Sequence, residues 1–270
     1  MELAVATLAG TVPAYAYTGG KPFDAGLPCV VFLHGALNDH SVWTLLARWF
    51  AHHGHGVLAF DLPGHGRSGG APLADVEALA DWLLAALDAA GVAQAALVGH
   101  SMGSLIALEA AARAPARASR LVLVGTAVPM PVSDALLGTS RDDPLRAIDM
   151  VNAFSHSGFA TKPSYPGPGS WLHGGDRALM RRVQAGQPAL NLFHHDFGVC
   201  NAYAGGLEAA KKVQCAASLI LGARDQMTLP KQAVAIAKAL GAQVHTVNSG
   251  HALMSEAPDA VLAALRTALS

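Results

Sequence analysis

Three residues in this chain could cooperate in nucleophilic catalysis: Ser101, Asp225 and His251. Ser101 sits in Gly99-His100-Ser101-Met102-Gly103. Ahead of it lies the apolar run Ala95-Ala96-Leu97-Val98, which reads as a buried strand. Behind it, Ser104 to Ala112 is made of strong helix formers and stops near Pro115. A G-x-S-x-G on a strand-to-helix turn leaves its serine proud at a helix N-terminus, where backbone amides favour negative charge. A serine hydroxyl is a weak nucleophile and needs a base, and the base needs an orienting group. His251 follows the last apolar run, Gln243 to Val247, and Asp225 follows the one before it, Ser218 to Leu221. The reading is therefore that Ser101 attacks, His251 takes and returns the proton, and Asp225 holds the imidazole. The amides of Met102 and Ala36 are the expected oxyanion donors.

These residues need elements that bring strand ends together, and the chain supplies them. Leu3 to Tyr17 suggests an edge hairpin. Cys29–Leu33, Val57–Phe60, Ala95–Val98 and Leu121–Val124 read as central strands. Amphipathic helices alternate with them, one from about Leu73 to Ala90. Such alternation predicts a mostly parallel sheet covered on both faces, with working residues at the strands' carboxyl ends. His34, Asp61 and Ser101 fall at such ends, and Asp61 reads as structural because a shaped turn follows it. After Gly125 the alternation fails until Ser218. The stretch 127–206 carries helical fragments and aromatics, among them Phe154, Phe159, Tyr165, Trp171, Phe193 and Phe197. It is too long for a loop and reads as an inserted cap. The expected division is a core of 1–126 and 207–270 with a cap of 127–206. His34, Gly35, His100, Met130, Phe154, Trp171 and Phe193 are the expected substrate-pocket residues.

Composition narrows the class. The 270 residues are 52% hydrophobic and 14% charged, with a net charge of −1. No basic patch is offered to nucleic acid and no run of ~18 apolar residues to a membrane. The three cysteines, Cys29, Cys200 and Cys215, are far apart and form no C-x-x-C, which fits a reducing, cytoplasmic setting. His52-His53-Gly54-His55 and His194-His195-Asp196 lack the spacing of a hydrolytic zinc site, so no metal is expected. Gly64 to Gly70 lacks the Gly-Lys-Ser/Thr of a phosphate loop.

With these motifs in place, the chain resembles the α/β-hydrolase superfamily, in its cap-bearing esterase, C–C hydrolase and haloperoxidase-like branch. The resemblance rests on Leu33-His34-Gly35, on Asp61 to Ser68, on the serine motif, on Leu221 to Asp225 and on Gly250-His251. It implies an eight-stranded, mostly parallel sheet with helices on both faces, a mainly helical cap and no cofactor. The expected activity is hydrolysis of small to medium carboxylic esters through an acyl-enzyme on Ser101. C–C bond or lactone cleavage with the same triad is the alternative, as is a weakly catalytic ligand-binding protein. Ring-cleavage-product hydrolases usually carry tryptophan after the histidine, and Ala252 stands here. A serine nucleophile disfavours haloalkane and epoxide chemistry. The Ala- and Leu-rich helix faces are compatible with a homodimer.

Overall fold

A computed structural model describes residues 1–7, 10–158 and 171–270; Phe159 and Tyr165 lie outside the described residues. Eight strands form one sheet: β1 (Glu2–Thr7), β2 (Gly10–Tyr17), β3 (Cys29–Leu33), β4 (Gly56–Phe60), β5 (Ala95–His100), β6 (Ala118–Val124), β7 (Ala216–Gly222) and β8 (Gln243–Val247). Their spatial order is β1-β2-β4-β3-β5-β6-β7-β8. The edge hairpin β1–β2 is antiparallel and joins β4 antiparallel; every later pair is parallel. The serine's strand β5 thus lies between β3 and β6.

The period of two in the strands sorts the core into two layers. Val31, Leu33, Leu58, Phe60, Leu97 and Leu121 face one layer, Val30, Phe32, Val57, Ala59, Val98 and Val122 the other. Helices α2 (Val76–Ala89) and α3 (Met102–Arg113) cover the first face, α1 (Thr44–Ala51) and the C-terminal helix Pro258–Leu269 the second. Strands apolar on both faces can be satisfied only between two such layers. One boundary differs from the sequence expectation. The helix expected from Leu73 begins at Val76, because the Asp75 side chain accepts from Ala78 N–H at 2.7 Å and caps it there. Ahead of α1 lies a 3-10 turn, His40–Trp43, capped by Asp39.

Between β6 and β7 the described residues hold α4 (Asp134–Asp142), α5 (Pro144–Ser155), α6 (Leu172–Ala185), α7 (Leu192–Ala202) and the short α8 (Gly206–Ala210). This helical stretch is tied to the loops at the sheet's carboxyl edge. Arg182 in α6 pairs with Asp39 at 2.9 Å, Asp196 in α7 reaches Leu37, and Ser155 O accepts from Ala252 N–H at 2.9 Å. After β7 come α9 (Val234–Leu240), then α10 (Leu253–Glu256), and the C-terminal helix is α11. None of the helices in the described residues is long and apolar enough to cross a membrane.

Candidate active site

The serine turn is built by close approach. A Cβ on Gly99 would overlap the Gly103 carbonyl, and one on Gly103 would overlap the Leu33 and His34 carbonyls. Only with hydrogen at both places can α3 rise this close to β5 and β3. Ser101 takes φ 51°, ψ −119°, one of two left-handed non-glycine residues among those described. This is a backbone conformation that surrounding structure must enforce. Two bonds do so: Ser101 N–H donates to Val124 O at 3.0 Å, and Ser101 O accepts from Ser104 N–H at 2.8 Å. Met102 is the first residue of α3, so its amide belongs to the unpaired N-terminal set.

Asp225 and His251 meet from the loops after β7 and β8. His251 Nδ1 lies 2.8 Å from Asp225 Oδ2. An ionised carboxylate only accepts, so the proton sits on Nδ1 and Nε2 keeps its lone pair. Asp225 is buried and saturated. Oδ1 accepts from the Met227 and Thr228 amides, each at 2.8 Å, and Oδ2 from Thr228 Oγ1 at 2.8 Å. Burial alone would raise its pKa, but the neighbouring imidazole and these donors bring it down to about 2. Thr228 was not foreseen from the sequence; its signal is the spacing Asp-x-x-Thr at a turn, where a hydroxyl can fold back on the carboxylate.

His100 and Glu256 hold the histidine loop. His100 Nε2–H donates to His251 O at 3.0 Å, and the two rings pack 4.7 Å apart. Burial and the nearby His251 push the His100 pKa down to about 3, so it stays neutral. Glu256 accepts from the Ser157 amide and hydroxyl at 2.7 and 2.8 Å and from Gly250 N–H by a very short bond. The loop before His251 is therefore tied to the end of α5.

Ser101, His251, Gly35, Ala36, His100, Met130 and Phe154 all line one cavity of about 340 Å³. Asp225 and Met102 stand behind its wall, buried. Three expected pocket residues do not line it. His34 is buried, with Nδ1–H donated to Gly35 O at 2.8 Å and Nε2 accepting from Leu62 N–H at 3.0 Å. Both ring nitrogens are spent on backbone, and burial brings its pKa down to about 4. Phe193 is fully buried and packs edge-on against Phe197, which reaches the cavity in its place. Trp171 is 51% exposed ahead of α6, its ring parallel to that of His173. The remaining lining is mixed: Val42, Leu136, Val151 and a group of sulfur-bearing residues stand beside Asn38, Asp176, Gln226 and Ser255. Five of the seven methionines, Met130, Met150, Met180, Met227 and Met254, take part, and Cys200 joins them.

Asp39, His40 and Asp61 bring three ligand-type atoms within 4.8 Å of one another. Several of their lone pairs already accept hydrogen bonds. Asp61 accepts from the His40 amide, His40 Nδ1 and the Arg67 amide, and Asp39 from Ser41 and Arg182. Asp61 thus shapes its own turn, in keeping with the structural role expected of it.

Comparison with known proteins identifies the family and the fold. A family defined by the alpha/beta hydrolase fold matches residues 28–166, and the chain belongs to that family. It is 36% identical over 126 residues to the dihydrolipoyllysine-residue acetyltransferase component of an acetoin cleaving system from Pseudomonas putida, covering 44% of this chain and 34% of that protein. It is 38% identical over 102 residues to an sn-1-specific diacylglycerol lipase from Mus musculus, covering 37% and 33%. The matched segment spans about a third of the length of these curated relatives. Among solved structures, an enol-lactonase from Burkholderia xenovorans superposes with a TM-score of 0.81 at 21% identity over 96% of both chains. An esterase from Exiguobacterium antarcticum gives 0.81 at 16% identity over 99% and 98%. At these identities the two structures speak to the fold.

Proposed function

We propose that this protein is a serine hydrolase cleaving esters of small to medium carboxylic acids, with 127–206 acting as a cap over the site. The observation that carries the reading is His251 Nδ1 set 2.8 Å from a saturated Asp225 carboxylate, with the ring opening on the same cavity as a serine held in a left-handed turn. Ser101 Oγ attacks the ester carbonyl carbon while His251 Nε2 takes the hydroxyl proton. The carbonyl π pair moves to oxygen, and the oxyanion accepts from the amides of Ala36 and Met102. Collapse breaks the bond to the alcohol oxygen, which leaves with the proton from Nε2. Water then attacks the acyl-enzyme with Nε2 again as base, releasing the carboxylic acid and restoring Ser101. Asp225 holds the ring and stabilises the imidazolium in both halves.

The methionine-rich part of the cavity supports an apolar acyl group. Methionine is unbranched and polarisable and adapts to ligands of different shape. About 340 Å³ is at the small end of ligand sites. In the test, purified protein is assayed on p-nitrophenyl acetate, butyrate, octanoate and palmitate beside Ser101→Ala. The expected result is turnover greatest for the middle chains and abolished in the variant. Turnover near wild type in a folded Ser101→Ala would overturn the reading. A lactone and a ring-cleavage dienone in the same panel separate ester from lactone and C–C cleavage.

A further inference from the structure

The backbone that would bind the oxyanion is pinned on every side, and one of its pins comes from a distant helix. Two peptide planes flank Ala36. In the first, Gly35 O accepts from His34 Nδ1–H at 2.8 Å. In the second, Ala36 O accepts from Asn38 Nδ2–H at 3.0 Å, and Leu37 N–H donates to Asp196 Oδ2 at 2.8 Å. His34 and Asn38 are local, whereas Asp196 lies in α7, 159 residues from Leu37. Leu37 itself is fully buried at φ 53°, the second left-handed non-glycine residue of the described chain. A bulky residue in that region is held there at a cost of about 1–3 kcal/mol, which its surroundings must offset.

We infer that Asp196 is a positioning residue for the oxyanion donors, a buried clasp from α7 that holds Leu37 left-handed and so aims the amide of Ala36. The inference rests on the ester-hydrolase reading given above. Asp196 is 1% exposed and cannot be explained as a solvated charge. Its charge is met by His65 Nε2 at 2.8 Å, while His65 Nδ1 sits 3.1 Å from Pro63 O. Both ring nitrogens face acceptors, so both carry protons and His65 is an imidazolium. Burial opposes that charge, yet the Asp196 carboxylate, the Pro63 carbonyl and the nearby Asp61 together outweigh it and raise the His65 pKa. The same pair holds Asp196 below the usual carboxylate range. Asp196 Oδ1 is also 3.3 Å from His195 Nδ1. A buried charge is costly and is not needed to dock a helix whose other buried residues, such as Leu192, Phe193 and Val199, are apolar. What the carboxylate supplies is a fixed acceptor for one backbone N–H beside the reaction centre.

The test compares wild type, Asp196→Ala and Asp196→Asn, with the folded fraction of each checked by circular dichroism and thermal melting. The substrate is p-nitrophenyl butyrate. Loss of an aligned oxyanion donor acts on the transition state, so Asp196→Ala should lower kcat by on the order of 10²-fold with KM within about two-fold. Asparagine keeps an oxygen for Leu37 N–H and should restore kcat to within about five-fold of wild type. If the alanine variant does not fold, His65→Leu/Asp196→Leu removes both charges together and leaves none unpaired. It should show the same fall in kcat. A folded Asp196→Ala or double variant with wild-type kcat would overturn the clasp, and so would an asparagine variant no better than alanine. The fluorophosphonate reaction of the same proteins should slow in parallel with kcat. Failure of the hydrolase reading looks different: wild type inert to both ester and probe, or Ser101→Ala as active as wild type.

Discussion

In the proposed mechanism the residue that decides the chemistry besides Ser101 is Asp225, because the tautomer of His251 depends on it. With Asp225→Asn the amide can present N–H to Nδ1, which forces the proton onto Nε2 and removes the base. The expected fall in kcat is on the order of 10⁴-fold with little change in KM. Retention of a tenth or more of wild-type kcat would contradict the assignment. Thr228→Val removes one hydroxyl donor from Asp225 Oδ2 but leaves both amides on Oδ1. It should cost only about ten-fold in kcat, roughly the 1.4 kcal/mol of a single net hydrogen bond to a charged group. The placement of Ser101, Asp225 and His251 just past three strands was legible because apolar runs mark those strands. Thr228 and Glu256 were not, since a side chain that serves another side chain leaves no periodic trace.

At the scale of elements, the ends of β3 and β5 carry buried neutral imidazoles, and that has a pH signature. His34 has its pKa lowered to about 4 and His100 to about 3, both chiefly by burial. The unfolded chain takes up these protons near pH 6.5, whereas the folded chain does not until pH 4 or below. Their stabilising contribution is therefore complete above about pH 6.5 and is lost as pH falls. Between pH 6.5 and pH 5 the loss is on the order of 2 kcal/mol per imidazole. Asp225, with its pKa lowered to about 2, keeps its contribution over that range and loses it only as pH falls from about 3.8 through 2. His65 works in the other direction: its contribution is full below pH 6.5 and disappears as pH rises through its folded value. Denaturant unfolding at pH 7 and pH 5 should show a lower midpoint at pH 5. An equal or higher midpoint at pH 5 would contradict the buried neutral state of the two rings. His34 is also where reading the chain misplaced a residue. A histidine at a strand end beside Gly35 looked like a pocket wall, but the strand-end carbonyl and the Leu62 amide consume both of its nitrogens.

Across the whole molecule, the sheet could be read from the chain almost strand by strand, because β3, β4 and β5 are each built on an apolar run. The region between β6 and β7 could be read only as helical and non-sheet. Its contacts with the strand ends run over long sequence separations: Asp196 to Leu37, Arg182 to Asp39, Glu256 to Ser157. No local pattern encodes such pairings, which is why Phe193 and Trp171 were placed in the pocket and Phe197 was not. In the proposed reading the same long-range packing sets the acyl preference. Met180 reaches the cavity from α6, so Met180→Trp should shift the preferred p-nitrophenyl ester toward shorter chains by raising KM for octanoate more than for acetate. An unchanged chain-length profile would mean that the acyl group lies elsewhere.

The central claim is that Ser101 is an activated nucleophile. Its most direct measurement is reaction of the folded wild-type protein with a fluorophosphonate, with the modified peptide located by mass spectrometry. The account predicts one adduct, on Ser101, absent in Ser101→Ala and strongly slowed in His251→Ala. A folded wild type that forms no adduct, or an adduct on another residue that persists in Ser101→Ala, would contradict it.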